Sequence, residues 1–447
     1  MNLTISPIKF NSLTSISKQK EDRNNNLCNE IKLTDLTSSL ALKNQILFKG
    51  IANIQQREKL IQETIKKNSL PIKPQTLDFV LSAPIDKANL YLKYSKTGSK
   101  FFELYSRYLL HTNHPIKDEG ELTYYIASFI KNDNKARIIN NFIPTELLPD
   151  MQNKNITQIV QANCLNAFLG AVIYENENGF KTAFNFLNDS FGSDIYPKNL
   201  ILEENSFEKL AKAVEQKGYS WQDLYQETRF FNEQWHYRIH FKDIILSEAV
   251  GGKHDHEARD KCIIKATERV KSGEVNLDSA GNNLIYTNYK IPTPQRIKEL
   301  EEFSSKWGLK FDDINLLHRV FLYGEMQDCS ALAHCDTYQM LEFVGDAVLG
   351  FCTHEILQNN LPNTPRETIC SKRHAFVKNK NLSIIADKMN LSKYTINRNH
   401  TRGEKRIADM FEALIGAIFI NGKENGINDV YKFLDENFRD EICSTTH

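Results

Sequence analysis

The sequence predicts a mainly α-helical protein, with two helical domains of one type flanking a small α+β unit of α-β-β-β-α order. Three observations predict it. Two strongly apolar stretches, residues 341–349 and 407–417, each carry a pair of carboxylates at helical spacing. A stretch beginning at residue 163 repeats the second of them at a nearly fixed offset. Between the repeats, three short runs of strand-like composition are bracketed by helical ones.

The first stretch reads Leu341-Glu342-Phe343-Val344-Gly345-Asp346-Ala347-Val348-Leu349. As a helix, its residues Leu341, Val344, Val348 and Leu349 recur at helical spacing and form a buried face. Glu342 and Asp346 lie four apart and stack on one side of that helix, where like charges repel. A divalent cation that prefers hard oxygen ligands offsets such repulsion. The second stretch, Ile407-Ala408-Asp409-Met410-Phe411-Glu412-Ala413-Leu414-Ile415-Gly416-Ala417, places Asp409 and Glu412 three apart amid core-like residues. Two helices crossing with these faces opposed would gather four carboxylates about one point. A lone acidic pair reads as a solvated patch. Two pairs inside apolar helices do not, because Asp and Glu are rarely buried unless paired or metal-bound.

These residues carry a resemblance. LEFVGDAVL is similar to the signature helix of the ribonuclease III family, and KRIADMFEALIGAIF to that family's second catalytic helix. The resemblance runs over residues 296–440, with one departure at Gln339, where the family often has a further Glu. It implies Mg2+-assisted hydrolysis of phosphodiesters in double-stranded RNA, with Mn2+ as a substitute ion. It also implies roles. Glu342, Asp409 and Glu412 would be direct metal ligands. Asp346 would complete the set, as a ligand or as the acceptor that orients water, and Asp346 and Glu412 would be the catalytic carboxylates. His334, His374 and His400 would be surface or phosphate-contacting residues.

The repeat points to a second domain of this type. Asn163-Cys164-Leu165-Asn166-Ala167-Phe168-Leu169-Gly170-Ala171 parallels the stretch from Asp409, an offset of 409 − 163 = 246. Gly98 precedes Gly345 by 247, and Asn132 precedes Asn379 by 247. Residues 56–192 are therefore expected to be a diverged copy. Its segment Glu119-Gly120-Glu121-Leu122-Thr123 also resembles the family's run after the signature helix. The offset maps Glu342 to Ser95, Asp346 to Ser99, Asp409 to Asn163 and Glu412 to Asn166. Neutral Ser and Asn cannot build an anionic oxygen cage for Mg2+, so this copy is expected to be an inactive scaffold.

Between the copies, residues 200–272 show a helix over 207–214, strands over 224–231, 235–241 and 244–248, and a helix beginning near His254. This order, with Gly251-Gly252 before the last helix, resembles a double-stranded RNA-binding domain, which reads A-form duplex by shape and by phosphate contacts. That family opens its last helix with adjacent lysines. Here Asp255 and His256 stand in their place, leaving Arg259 and Lys253 as candidate contacts. The alternative role is bracing the two helical copies. Residues 273–295 read as a linker into the active copy, and residues 1–55 as a partly flexible extension.

Net charge is zero, so composition does not advertise nucleic acid, but its distribution is uneven. Residues 366–406 hold eleven Lys/Arg against three Asp/Glu, whereas residues 119–162 hold four against five. Lys372, Arg373, Lys378, Lys380, Arg402, Lys405 and Arg406 are the candidate phosphate contacts. Eight scattered cysteines without a CxxC pair read as reduced thiols, and no apolar run matches the ~18 residues expected of a membrane helix. An intracellular, membrane-free protein is expected, cytoplasmic or nuclear, with organellar targeting left open. Its expected partners are double-stranded RNA and either its own other copy, in a Dicer-like pairing within one chain without a helicase, or a second chain. The rival reading is a duplex-binding protein of the same fold without catalysis.

Overall fold

The computed structural model describes residues 54–82, 88–114, 119–150, 153–198, 200, 202, 204–251, 256–281, 292–322, 338–396 and 403–445. Nearly all of the expected N-terminal extension, and residues 282–291 of the expected linker, lie outside these. The fold is mainly helical, with one three-stranded antiparallel sheet among the described residues.

The first helical set comprises α1 (Ile54–Asn68), α2 (Pro74–Ser82), α3 (Ala88–Asn113), α4 (Glu119–Phe129), α5 (Asn132–Phe142), α6 (Lys154–Glu175) and α7 (Gly179–Phe191). The middle unit follows as α8 (Ser206–Glu215), β1 (Leu224–Phe231), β2 (Gln234–Phe241), β3 (Ile244–Gly251) and α9 (His256–Ser272). The second set is α10 (Pro294–Lys306), α11 (Ile314–Val320), α12 (Tyr338–Asn360), α13 (Arg366–Phe376), α14 (Asn379–Lys388), α15 (Glu404–Gly422) and α16 (Gly426–Ser444).

The two sets match in register. Helices α4 and α13 begin and end 247 residues apart, as do the starts of α5 and α14 and the ends of α3 and α12. The match extends to single bonds. Asn134 Nδ2 donates to Phe129 O at 2.9 Å, and Asn381 Nδ2 donates to Phe376 O at 2.9 Å, closing equivalent turns. The helix pairs that cross most intimately are α3 with α6 and α12 with α15. Both crossings rest on glycine. A Cβ on Gly345 would lie 1.8 Å from Glu412 O, and one on Gly98 would lie 1.8 Å from Asn166 O, so neither backbone approach admits a side chain.

One hydrophobic core runs through both sets, from Ile61 to Ile442. Phe351 of α12 packs edge-on against Phe101 of α3 and Phe180 of α7, and Tyr108 of α3 packs against Phe419 of α15. Polar contacts cross the same seam: Thr97 Oγ1 and Tyr174 Oη donate to the buried Glu355 carboxylate at 2.8 and 2.6 Å. Helix α6 is apolar and long enough by composition to cross a membrane, contrary to the sequence expectation. It packs instead as the central core helix of the first set, with Ala162 and Cys164 through Ile173 buried.

The middle unit has its own core, built from α8, α9 and one face of the sheet. Strands β1 and β2 form a hairpin around Asn232 and Glu233, both at positive φ, as a two-residue turn of this hand requires. An Asn205–Glu208 capping box starts α8, and Asn205 Nδ2 also donates to Glu121 on α4 at 2.8 Å, tying the unit to the first set. The last helix is described from His256 onward, and the expected start near His254 lies outside the described residues.

Candidate metal centre

Helix α12 carries Glu342 on a turn whose neighbours Leu341, Phe343 and Val344 are all buried. Helix α15 carries Asp409 and Glu412 within a buried run from Ala408 to Phe419. The glycine contact at Gly345 brings Glu412 against the turn that bears Glu342. As a result, Glu342, Asp409 and Glu412 each offer an oxygen within 4.8 Å of the others. They are 2%, 4% and 5% exposed. Three carboxylates this close and this buried must be compensated, by a cation or by protonation, since an uncompensated buried charge costs several kcal/mol per ion. Lys405 supplies one from the rim, its Nζ 2.7 Å from Asp409 Oδ2. The donors are all oxygen, which suits Mg2+ or Mn2+ and not a soft metal.

Asp346 is not among the carboxylates that gather within this distance. It lies one turn along α12, half-buried, and its Oδ2 is 3.2 Å from Nη1 of Arg107 on α3. Arg107 was not singled out by sequence reasoning; its signal is one guanidinium inside the otherwise core-like run Leu104-Tyr105-Ser106-Arg107-Tyr108-Leu109-Leu110.

The equivalent positions of the first set look different. Asn166 is buried and its Oδ1 has no hydrogen-bond partner among the described residues, while Ser95, Ser99 and Asn163 are half-buried. Lys135, a residue only 4% exposed, donates from Nζ to Ser99 Oγ at 3.2 Å. The offset places Lys135 where the second set has the buried Leu382. Sequence reasoning missed this lysine because it sits among ordinary polar residues, Asn132-Asp133-Asn134-Lys135.

The basic candidates divide. Lys378 and Lys380 are exposed at the start of α14, and Lys405 is exposed beside the carboxylates. Lys372 Nζ donates to Cys443 O at 2.8 Å and Thr445 O at 3.1 Å, so its ammonium is turned to the chain's own backbone. Arg373 is 8% exposed, packed beside Gly350 under α12, and so is not on a surface that a phosphate can reach. Arg406 is half-buried. Arg259 is half-buried too, with Nε donating to Gln226 at 3.1 Å. Burial, with Arg373 and three nearby lysines, holds the half-buried His374 down to about 4, so it is neutral at pH 7 and brings no charge to a phosphate. Arg402, Lys253, Asp255, His334 and His400 lie outside the described residues, as does the side chain of His256.

The family-model comparison falls on the same region. The ribonuclease III domain model matches residues 339–423. The chain is 28% identical over 158 residues to ribonuclease 3 of Roseiflexus sp., covering 33% of this chain and 64% of that protein. It is 32% identical over 147 residues to ribonuclease 3 of Treponema denticola, covering 32% and 58%. It is also 32% identical over 162 residues to putative protein A464R of Paramecium bursaria Chlorella virus 1, covering 31% and 55%. The chain thus spans roughly between half and two thirds of the length of these relatives. Among solved structures, the nuclease domain of ribonuclease III from Campylobacter jejuni superposes with a TM-score of 0.27 at 23% identity, over 31% of this chain and 98% of that one. Dicer from Giardia intestinalis does so with a TM-score of 0.43 at 13% identity, over 84% and 56%. The ribonuclease III domain match thus takes in α15 and all of α12 but its first residue, the two helices that bear the carboxylates.

Proposed function

We propose that this chain is an endoribonuclease that cuts double-stranded RNA by Mg2+-dependent phosphodiester hydrolysis. Catalysis belongs to the second helical set, and the first set, paired with it as an internal pseudo-dimer, has no chemistry of its own. The observation that carries this reading is the buried trio Glu342, Asp409 and Glu412, whose oxygens lie within 4.8 Å on two otherwise apolar helices. The ribonuclease III domain match supports it at the level of the family.

Glu342, Asp409 and Glu412 would hold the ion, and all three offer the hard donors it prefers. Bound there, Mg2+ would supply Lewis-acid stabilisation of charge on the phosphate and the leaving oxygen, and would acidify the attacking water. Asp346, outside the trio, would accept a hydrogen bond from that water and orient it. Lys378 and Lys380 are exposed on the same set and would bind backbone phosphates. The middle unit reads best as a brace, since Asn205 ties it to α4 and Arg259 is turned toward Gln226. The continuous core across the two sets favours pairing within the chain over pairing between chains.

One live site per chain means one cut per duplex engagement. The test is a perfect RNA duplex with each strand labelled in a different colour, incubated with Mg2+ and the full chain or its Glu412→Gln variant. Cuts in one strand per binding event, abolished in the variant, are the expected result. Coordinated cuts in both strands would replace the internal pair with a dimer of live copies. Tight binding with no cleavage in Mg2+ or Mn2+ would leave a duplex-binding protein instead.

A further inference from the structure

We propose that Arg107, on the first helical set, is a positioning residue for the metal centre on the second: it holds Asp346 out of the ligand cluster. The inference rests on the reading of that centre given above and deepens it, because the copy without chemistry would contribute a residue to the copy that has it.

The geometry is specific. Arg107 Nη1 donates to Phe343 O at 2.9 Å and lies 3.2 Å from Asp346 Oδ2, while the guanidinium carbon stands 5.0 Å over the Phe343 ring. These three contacts fall on the single turn of α12 that separates Glu342 from Asp346. On its own helix, Arg107 Nη2 is 3.4 Å from Glu103, which Lys100 also approaches at 3.3 Å. The fork is therefore braced behind and docked in front, with its side chain 13% exposed. A planar, permanently charged group with several fixed donors suits this better than an ammonium would.

The consequence follows from charge and reach. Asp346 sits four residues after Glu342 on the same side of α12, within a side-chain swing of the trio. Without a partner, a flexible aspartate beside a divalent ion becomes a fourth ligand, which tightens the ion and removes the acceptor needed by the attacking water. Arg107 prevents that in two ways. It ties one Asp346 oxygen, and it adds a positive charge that weakens the ion's hold. The position equivalent to Arg107 in the second set, 107 + 247 = 354, is the buried His354, which burial keeps neutral. The contact is thus one-sided, pointing from the first set to the second.

The test is a double-mutant cycle on the full chain: wild type, Arg107→Gln, Asp346→Asn and the double variant. Each is titrated with Mn2+ alone by calorimetry and assayed for single-turnover cleavage of duplex RNA. Arg107→Gln should bind Mn2+ about three- to tenfold tighter, the effect of removing one charge and freeing one carboxylate near a divalent ion. The same variant should cleave about tenfold or more slowly, because the water is no longer oriented. With Asn at position 346, the Arg107→Gln effect on both quantities should shrink to about twofold or less. Arg107→Lys should return the Mn2+ affinity toward wild type and recover part of the rate.

Opposite movement of metal affinity and rate is the signature, since an arginine that only joins the two sets would lower both when removed. A parallel fall in the two, or an Arg107→Gln effect undiminished beside Asp346→Asn, overturns the proposal. So does a raised KM for RNA with a shallower salt slope, which would place the guanidinium on a phosphate. If wild type cleaves nothing but the Mn2+ cycle is coupled, the nuclease reading falls and the hold of Arg107 on Asp346 stands. If wild type cleaves and the cycle is additive, the reverse holds.

Discussion

Substituting Gly345 by Ala tests whether the metal centre is built by helix approach, and Gly98→Ala supplies its internal control. The added Cβ would lie 1.8 Å from Glu412 O in one set and 1.8 Å from Asn166 O in the other, so the two steric insults are equal. A carbon and a carbonyl oxygen need about 3.3 Å, so each helix pair must part by about 1.5 Å locally. Overpacking of this kind costs about 1–3 kcal/mol or more. Each kcal/mol should lower the melting temperature by about 1–2 °C for a body of this size. The two variants should therefore melt alike without metal. They should differ in its presence, because only in the second set does parting move Glu412 from Glu342 and Asp409. Mg2+ needs near-ideal ligand distances of about 2.0–2.1 Å, which a displacement of that size forfeits. Thermal melts with and without Mn2+ would show the ion's stabilisation abolished in Gly345→Ala and kept in Gly98→Ala, with duplex cleavage following the same split. Equal metal responses in the two variants would refute the claim that the glycine crossing assembles the site.

Three further outcomes follow from particular side chains. Burial pushes the Glu355 carboxyl up, against the smaller opposing pull of the Tyr174 and Thr97 hydroxyls. The folded chain thus keeps this proton to a higher pH than the unfolded chain, and the associated stability is full below the ordinary value of 4.5 and lost as pH rises through the folded value. Glu355→Gln stays neutral throughout, so its melting temperature should gain on wild type between pH 4 and pH 8, and a gap that does not change with pH would contradict the assignment. Lys378→Ala with Lys380→Ala should reduce the slope of log affinity against log salt for duplex RNA by about one unit for each phosphate no longer neutralised. Arg373→Ala should lower thermal stability and leave that slope unchanged, since its guanidinium is buried; a change in slope would show that it reaches a phosphate after all.

What was legible in the sequence is what helix periodicity and spacing encode. The carboxylates stood out because Glu342, Asp409 and Glu412 interrupt runs that are otherwise core, and the structure gathers these three. The repeat was legible from Gly98, Asn132 and Asn163, because helix starts and close crossings are properties of the local chain. The three strands fell where β-branched and aromatic residues cluster between turn residues. The departures arise from contacts between distant elements. Arg373 counted as one charge in a basic stretch, but the fold buries it against α12, beside Gly350. Arg107 and Asp346 are far apart in sequence and meet only because α3 packs on α12. Helix α6, apolar nearly all round, is of the kind a membrane also selects, and only its place in the core distinguishes the two.

The first set shows which parts of this architecture packing requires and which parts chemistry requires. Its glycine crossing is as close as that of the second set, because a larger residue at position 98 would force α3 and α6 apart whatever their side chains did. Its carboxylates are absent at no cost to that crossing. Ser95, Ser99, Asn163 and Asn166 bring no like-charge repulsion to offset, and position 135 carries an ammonium beside Ser99 where the second set carries leucine. A helix pair with no anionic cluster and a lysine fixed at its side has nothing to gain from a divalent cation. The stabilisation that Mn2+ confers on the whole chain should therefore belong to the second set, and Glu412→Gln alone should remove most of it while the first set stays folded.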